Sequence, residues 1–292
     1  MVDKDKPILN ILIPTDFTNN AFHALRYAVE LLKNRECNIY LLNVYNERKG
    51  FKTNRIKNDT ETSSPELEKK SNISLESTFN RIKKKNENPK HSYKLIAEAD
   101  NLMEVVHSLV DKLEIDLIVL GNKGEKSSIP LFLGGIATKT LESVKKYPVL
   151  TVPKRAKINI PREISFARDF KKPFNPKVIN PIRSLALLCE ATVRIVHIQE
   201  KEGLDKIQQT NLDSILAYFE PVPCTIDKMP HFISKAKVLQ IYLEDTDIEM
   251  LAIINYEYAE LEKMLREPIV EKMLKKIDIP YFIIPDTETE VR

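Results

Sequence analysis

Four of the six glycines in this 292-residue chain, Gly121, Gly124, Gly134 and Gly135, fall between positions 121 and 135. Two residues separate the first pair, nine separate Gly124 from Gly134, and a helical stretch follows Gly135. Glycine accepts positive φ and lets backbone approach a ligand closely. A helix start offers free N–H groups and the positive end of the helix dipole, which together hold an anion. The spacing therefore describes a phosphate cradle made of backbone, with Lys123 and Lys126 adding charge at its rim. A carboxylate, Asp16, follows the apolar run Ile8–Ile13 and the pair Pro14-Thr15. Glu125 is the one residue near the cradle able to serve as a base toward water.

Other reactive side chains read as structural. The five histidines show no metal-ligand spacing with cysteine or a carboxylate. Cys37, Cys189 and Cys224 form an odd, widely spaced set, which reads as reduced thiols of a cytoplasmic protein. Cys37 and Cys189 are taken as small packing residues at helix ends. The basic run 81–85 reads as a solvated helix face. Forty-five basic residues against 42 acidic ones leave a net charge of only +3, which argues against nucleic acid or an anionic membrane as partner. No stretch approaches the ~20 apolar residues of a membrane span, and the N-terminus lacks the features of a signal peptide.

The elements that must position the cradle alternate between strand and helix. Ile8–Ile13 reads as a buried strand, followed by a helix capped by Asn19 or Asn20 with Ala24, Leu25, Ala28, Leu31 and Leu32 on its apolar face. Strand Asn38–Val44, a solvated loop from Glu47 to Ser64, helix Pro65–Lys85 and strand Tyr93–Ala97 come next. Asp100 is the expected cap of helix Leu102–Leu113. Strand Asp116–Leu120, helix Gly135–Lys146 and strand Pro148–Val152 complete this half. Such alternation predicts a parallel sheet covered on both faces, with ligands beyond the carboxyl ends of its strands.

The second half repeats the plan. Ile164–Phe170 answers Leu12–Phe17, Ala191–Ile198 answers Cys37–Val44, Met250–Asn255 answers Leu117–Gly121, and Lys275–Pro285 answers Lys145–Pro153. Four echoes in one order identify an internal duplication, with domains 1–155 and 156–292. Asn255 and Tyr258 stand where Gly121 and Gly124 stood, and Arg266-Glu267 where Gly134-Gly135 stood, so no nucleotide is expected there.

The G-x2-G-x9-G spacing resembles that of the universal stress protein family, whose nucleotide-binding members follow it with Ser, Thr or Asn. The resemblance extends to Ile11–Asp16, to strand Asn38–Val44 and to Pro148–Pro153. It covers the first half and, more faintly, the second. It implies an α/β fold of two tandem Rossmann-like (adenine nucleotide alpha hydrolase-like) domains, each an open five-stranded parallel sheet. It also implies ATP, with or without Mg2+, in the first domain only. Carried over, Asp16 lies near the ribose or the metal-bound phosphates, Pro14 and Thr15 belong to the same nucleotide-binding set, and backbone at Val44 meets adenine. Gly121, Gly124, Gly134, Gly135 and Ile136 hold the phosphates. Gly135 departs from the family pattern: the backbone donor stays but a side-chain hydrogen bond worth roughly 1–3 kcal/mol is lost.

The resulting expectation is a cytoplasmic stress-response protein, not an enzyme, that binds ATP or a related adenine nucleotide as a regulatory ligand. Two other readings stay open: a slow nucleotide hydrolase or nucleotidyl-transferring enzyme, and a ligand-free interaction module. Family dimers pair through their last strands, so Val149–Val152 and Tyr281–Ile284 are expected to join as an intramolecular pseudo-dimer, with further homodimerisation open to the remaining surface.

Overall fold

Residues 6–45, 64–121, 147–199, 201–231, 233, 235–254 and 278–285 are described by a computed structural model. The expected helix 135–146 and most of the expected loop 47–64 lie outside them. The first half runs β1 (Ile8–Pro14), α1 (Asn19–Leu31), β2 (Glu36–Tyr45), α2 (Ser64–Lys85), β3 (His91–Ala99), α3 (Leu102–Lys112), β4 (Leu117–Gly121) and β5 (Val149–Val152). The second runs β6 (Glu163–Ala167), α4 (Pro176–Cys189), β7 (Thr192–Gln199), α5 (Lys206–Phe219), β8 (Cys224–Pro230), α6 (Lys235–Asp245), β9 (Met250–Ile254) and β10 (Tyr281–Ile284).

All ten strands share one sheet, in the order β3-β2-β1-β4-β5-β10-β9-β6-β7-β8. Within each half every pair is parallel. Strands β5, β9 and β10 are buried along their whole length, as are Leu117 to Leu120 of β4. That is why they read as unbroken apolar runs: helices cover both faces. The outermost strands, β3 and β8, mix buried or half-buried with exposed positions. One core layer joins the sheet to α1, α2, α4 and α5 through Leu25, Ala28, Leu75, Ile82, Ile182, Leu185, Leu212 and Phe219. The opposite layer joins it to α3 and α6 through Val106, Val110, Leu239 and Tyr242. Among the described residues no helix is long and apolar enough to cross a membrane.

Several local expectations need correction. Thr18, not Asn19 or Asn20, caps α1, its side chain accepting from Ala21 N. Asn101, not Asp100, caps α3 by accepting from Met103 N. In both cases the capping oxygen sits on the residue whose backbone is still extended, and the expected residues lie beyond it or before it. Cys37 lies inside β2, and Cys189 does end a helix, α4. Both are buried.

At the amino ends of the strands, a carboxylate staples neighbouring strands in each half. Asp116 Oδ2 accepts from Asn10 N (2.8 Å) and Lys6 Nζ (2.6 Å). Glu249 accepts from Arg162 N (2.6 Å) and Asn159 Nδ2 (2.7 Å). Both residues directly precede a central strand, β4 or β9.

The halves meet where β5 and β10 run antiparallel, pairing Val149 with Ile283, Leu150 with Phe282 and Thr151 with Tyr281. Strand β10 also pairs with β9 on its other side, so its backbone is committed on both edges. Ile283→Pro removes one donor from this doubly paired strand and is expected to cost about 3 kcal/mol or more. Urea denaturation should show a lower midpoint and a broadened or split transition. An unchanged midpoint would mean that the seam contributes little to stability.

Candidate functional site

In the first half β1 is central: the chain steps outward through β2 and β3, then returns to β4 and β5 on the other side. The carboxyl ends of β1 and β4 thus flank a topological switch point, where crossovers leaving in opposite directions open a crevice. Pro14 ends β1, with Thr15 and Asp16 just beyond it; Val44 lies near the end of β2, and Gly121 ends β4. These five expected residues gather at one rim of the sheet. Gly124, Gly134, Gly135 and Ile136 lie outside the described residues.

A short chain of hydrogen bonds shapes this rim. Thr15 N donates to Leu42 O (2.8 Å), and Asn43 Nδ2 donates to Thr15 O (2.7 Å). Ser71 Oγ of α2 donates to Asn43 Oδ1 (2.7 Å). Exposed Asp16 accepts through Oδ1 from Thr18 N (3.1 Å) and from Thr18 Oγ1 (2.6 Å). Thr18 Oγ1 in turn accepts from Ala21 N (3.2 Å). The carboxylate is therefore coupled to the start of α1, where negative charge is favoured by the helix dipole. Phe17 between them adopts φ 63°, a left-handed conformation that costs a non-glycine residue about 1–2 kcal/mol.

Gly121 has a demonstrable steric reason to be glycine. A Cβ there would lie 2.8 Å from Asn20 Nδ2 and 3.0 Å from Asn20 O. The first turn of α1 leans onto the end of β4, and only a residue without a side chain allows that approach. Buried Asn20 thus brings polar atoms of α1 to the switch point.

The second half keeps the frame and buries the aromatic residue of its rim. Arg168 N donates to Val196 O (3.1 Å), as Thr15 N does to Leu42 O. His197 Nδ1 donates to Arg168 O (3.0 Å), where Asn43 performs the same task in the first half. Phe170 repeats Phe17 with φ 60°, but its ring is fully buried and lies 5.1 Å from the ring of His197. Lys171 to Phe174 intervene before the cap Asn175, whereas Phe17 is followed directly by its cap. Helix α5 holds this longer turn down: Asn211 Nδ2 donates to Phe170 O (2.9 Å) and Lys172 O (3.1 Å), and Gln208 Nε2 to Asp169 O (2.8 Å).

The position matching Gly121 is not Asn255. Gly121 pairs with Val152 and Ile254 with Ile284, the last residues of β5 and β10, so Ile254 is the counterpart, and it is fully buried. Arg266 and Glu267, expected to spoil the second cradle, lie outside the described residues. Sequence reasoning passed over Asn43, Ser71 and Thr18. The available signal was a single asparagine inside the otherwise apolar stretch Ile39–Val44, at the place His197 holds in the repeat.

Residues 7–153 match the sequence profile of the universal stress protein family. No curated protein matches the chain by sequence. A universal stress protein from Archaeoglobus fulgidus superposes with a TM-score of 0.67 at 16% identity, over 94% of this chain and 97% of that one. A protein of unknown function from Pseudomonas aeruginosa gives 0.53 at 14% identity, over 94% and 91%. The cytoplasmic domain of a prokaryotic cation chloride cotransporter gives 0.53 at 10% identity, over 95% of each. At these identities the three share the fold across both halves of the chain.

Burial pushes the imidazole of His197 below its ordinary value of 6.5, outweighing the bond to Arg168 O, and His23 and His91 are lowered for the same reason. A histidine whose folded pKa is depressed contributes stability fully present above its ordinary value and lost as the pH falls through the lowered one. Stability should therefore fall as the pH drops below about 6.5. His197→Asn installs the first half's side chain, which makes the same bond to the preceding strand's carbonyl. It should cost about 1 kcal/mol at pH 8, through the lost ring contact with Phe170, and flatten the acid-side decline. Urea midpoints at pH 8 and pH 5.5 check this; a decline as steep as that of the wild type would clear His197 of any part in it.

Proposed function

This chain belongs to the universal stress protein family, and from that premise we propose that it binds ATP or a related adenine nucleotide in a first domain, residues 1–155, as a regulatory ligand. The observation that supports this most is the close approach at Gly121. The end of β4 there lies against the backbone and the side-chain amide of Asn20 in the first turn of α1, with no room for a Cβ on β4, and Gly124, Gly134 and Gly135 follow in sequence. In this reading the backbone of Gly121, Gly124, Gly134, Gly135 and Ile136 holds the phosphates, Pro14 to Asp16 face the ribose or the metal-bound phosphates, and backbone near Val44 meets adenine. Mg2+, where it accompanies the nucleotide, would neutralise phosphate charge.

The second domain, residues 156–292, is proposed as a closed partner. It would pair with the first through β5 and β10 in the manner of a dimer folded into one chain, leaving the outer surfaces for any further self-association. Turnover is not part of the proposal, because hydrolysis needs a base placed against water near the terminal phosphate, and Glu125 is the one such side chain near the cradle. The free thiols at Cys37, Cys189 and Cys224 agree with a reducing, cytoplasmic setting.

Gly134→Val should abolish ATP binding by calorimetry while leaving the circular dichroism of the protein unchanged, since its side chain would enter the phosphate volume. Unchanged affinity would overturn the assigned cradle. Gly135→Ser restores the hydroxyl of the family pattern at a helix start. It should tighten ATP binding up to about tenfold, equivalent to ~1.4 kcal/mol. No gain would mean that the loop is shaped for a smaller anion. Release of phosphate from labelled ATP by the wild type, lost in Asp16→Ala, would favour a slow hydrolase instead.

A further inference from the structure

Phe17 and Phe170 hold the same place in the two halves, each after an aspartate and each in the left-handed region, at φ 63° and 60°. Strain kept at a duplicated position calls for something that offsets it. In the second half that something is visible: Phe170 is fully buried, and its ring lies 5.1 Å from the imidazole of His197, tilted by 35°. In the first half Phe17 is 36% exposed, and the counterpart of His197 is Asn43, which has no ring to offer. The same strained turn thus leaves an aromatic side chain partly exposed at the switch point, directly after Asp16.

We propose that Phe17 is the base-recognising residue of the first-half site: it stacks on the flat heteroaromatic ring of the bound nucleotide, moving inward to the position Phe170 keeps permanently. The ligand's ring takes the part that His197 plays in the closed half. This rests on the nucleotide reading given above and adds to it the mode of recognition. Stacking reads a π-face rather than a hydrogen-bonding edge, so it selects compounds with a base over bare polyphosphate and discriminates weakly among purines. Phe170, already packed, leaves no such face in the second half.

The chain contains no tryptophan, so Phe17→Trp provides a single emitter at the proposed contact. ATP should quench its emission with the same dissociation constant that calorimetry gives, and inorganic tripolyphosphate should not. Phe17→Ala should bind ATP about tenfold more weakly while binding tripolyphosphate as the wild type does. If the wild type binds ATP but Phe17→Ala binds it equally well, or the indole emission of Phe17→Trp does not respond, the stacking role is overturned and the nucleotide reading stands. If Phe17→Ala loses both ligands alike, the residue shapes the turn rather than reading the base, and the proposal is again overturned. If the wild type binds no ATP at all, both fall together.

Discussion

Strands β5 and β10 cannot be left as edges. Each is four residues long, buried along its whole length and apolar on both faces apart from Thr151 and the hydroxyl of Tyr281. An unpaired strand of that kind would leave buried backbone donors without acceptors and invite association with another chain. Their antiparallel pairing removes both liabilities at once and fuses ten strands into one sheet. The direction of that pairing has a geometric consequence. All strands of a half point one way, so the carboxyl ends of the first half and those of the second lie at opposite rims of the sheet. The two crevices of the duplicated plan therefore never faced each other, and each could change without obstructing the other.

What the halves kept and what they altered divide along the strand axis. At the amino ends both retain a carboxylate just before the central strand, Asp116 or Glu249, bonded to backbone of the neighbouring chain segment. At the carboxyl ends both retain the backbone bond from the residue before the aspartate to the adjacent strand, and the side-chain bond to that residue's carbonyl. Only the identity of the donor changed, from Asn43 to His197. Around this shared frame the contents diverged. Gly121 lets α1 lie against the end of β4, whereas its counterpart Ile254 is fully buried, as is Phe170 in the turn strapped by Asn211. Phe17 stays partly exposed where Phe170 joins the apolar core.

Much of this frame is legible in the sequence because burial writes itself into composition. Strands covered on both faces must be largely apolar, so β4, β5, β9 and β10 stand out as short apolar runs, and the echoes of β1, β2, β4 and β5 in β6, β7, β9 and β10 identify the duplication. The sheet's outer strands are less legible: β3 begins at His91, two residues before the apolar stretch that announces it, because an edge strand carries polar residues on its open side. Caps depend on which residue is the last to keep an extended backbone, and that is set by the turn geometry, not by residue type alone. Thr18 won over Asn19 and Asn20 because Asp16 holds it in place. The counterpart of Gly121 was misplaced by one residue because aligned strings carry no register, whereas the pairing of β9 with β10 does. The left-handed phenylalanines gave no signal in their type, since left-handed backbone favours glycine and asparagine.

The rim of the first half is also mechanically tied to the seam. Asp16 holds Thr18, Thr18 caps α1, and Asn20 touches the end of β4, so anything that engages the rim acts first on the amino end of α1. That helix lies along β4 and β5, and its His23 Nε2 bonds to Ala156 O in the segment joining the halves (2.9 Å). Strand β5 in turn carries β10. A contiguous path of packed backbone therefore runs from the crevice through one helix to the strand pair shared by both halves. The second half has a weaker version of this link at its own rim: four residues separate Phe170 from the cap of α4, and the turn is anchored to α5 instead. The rim of the second half is thus held by a helix further out, whereas the rim of the first half is held by the helix that packs on the seam strand β5, so the two rims are coupled to the junction through different elements.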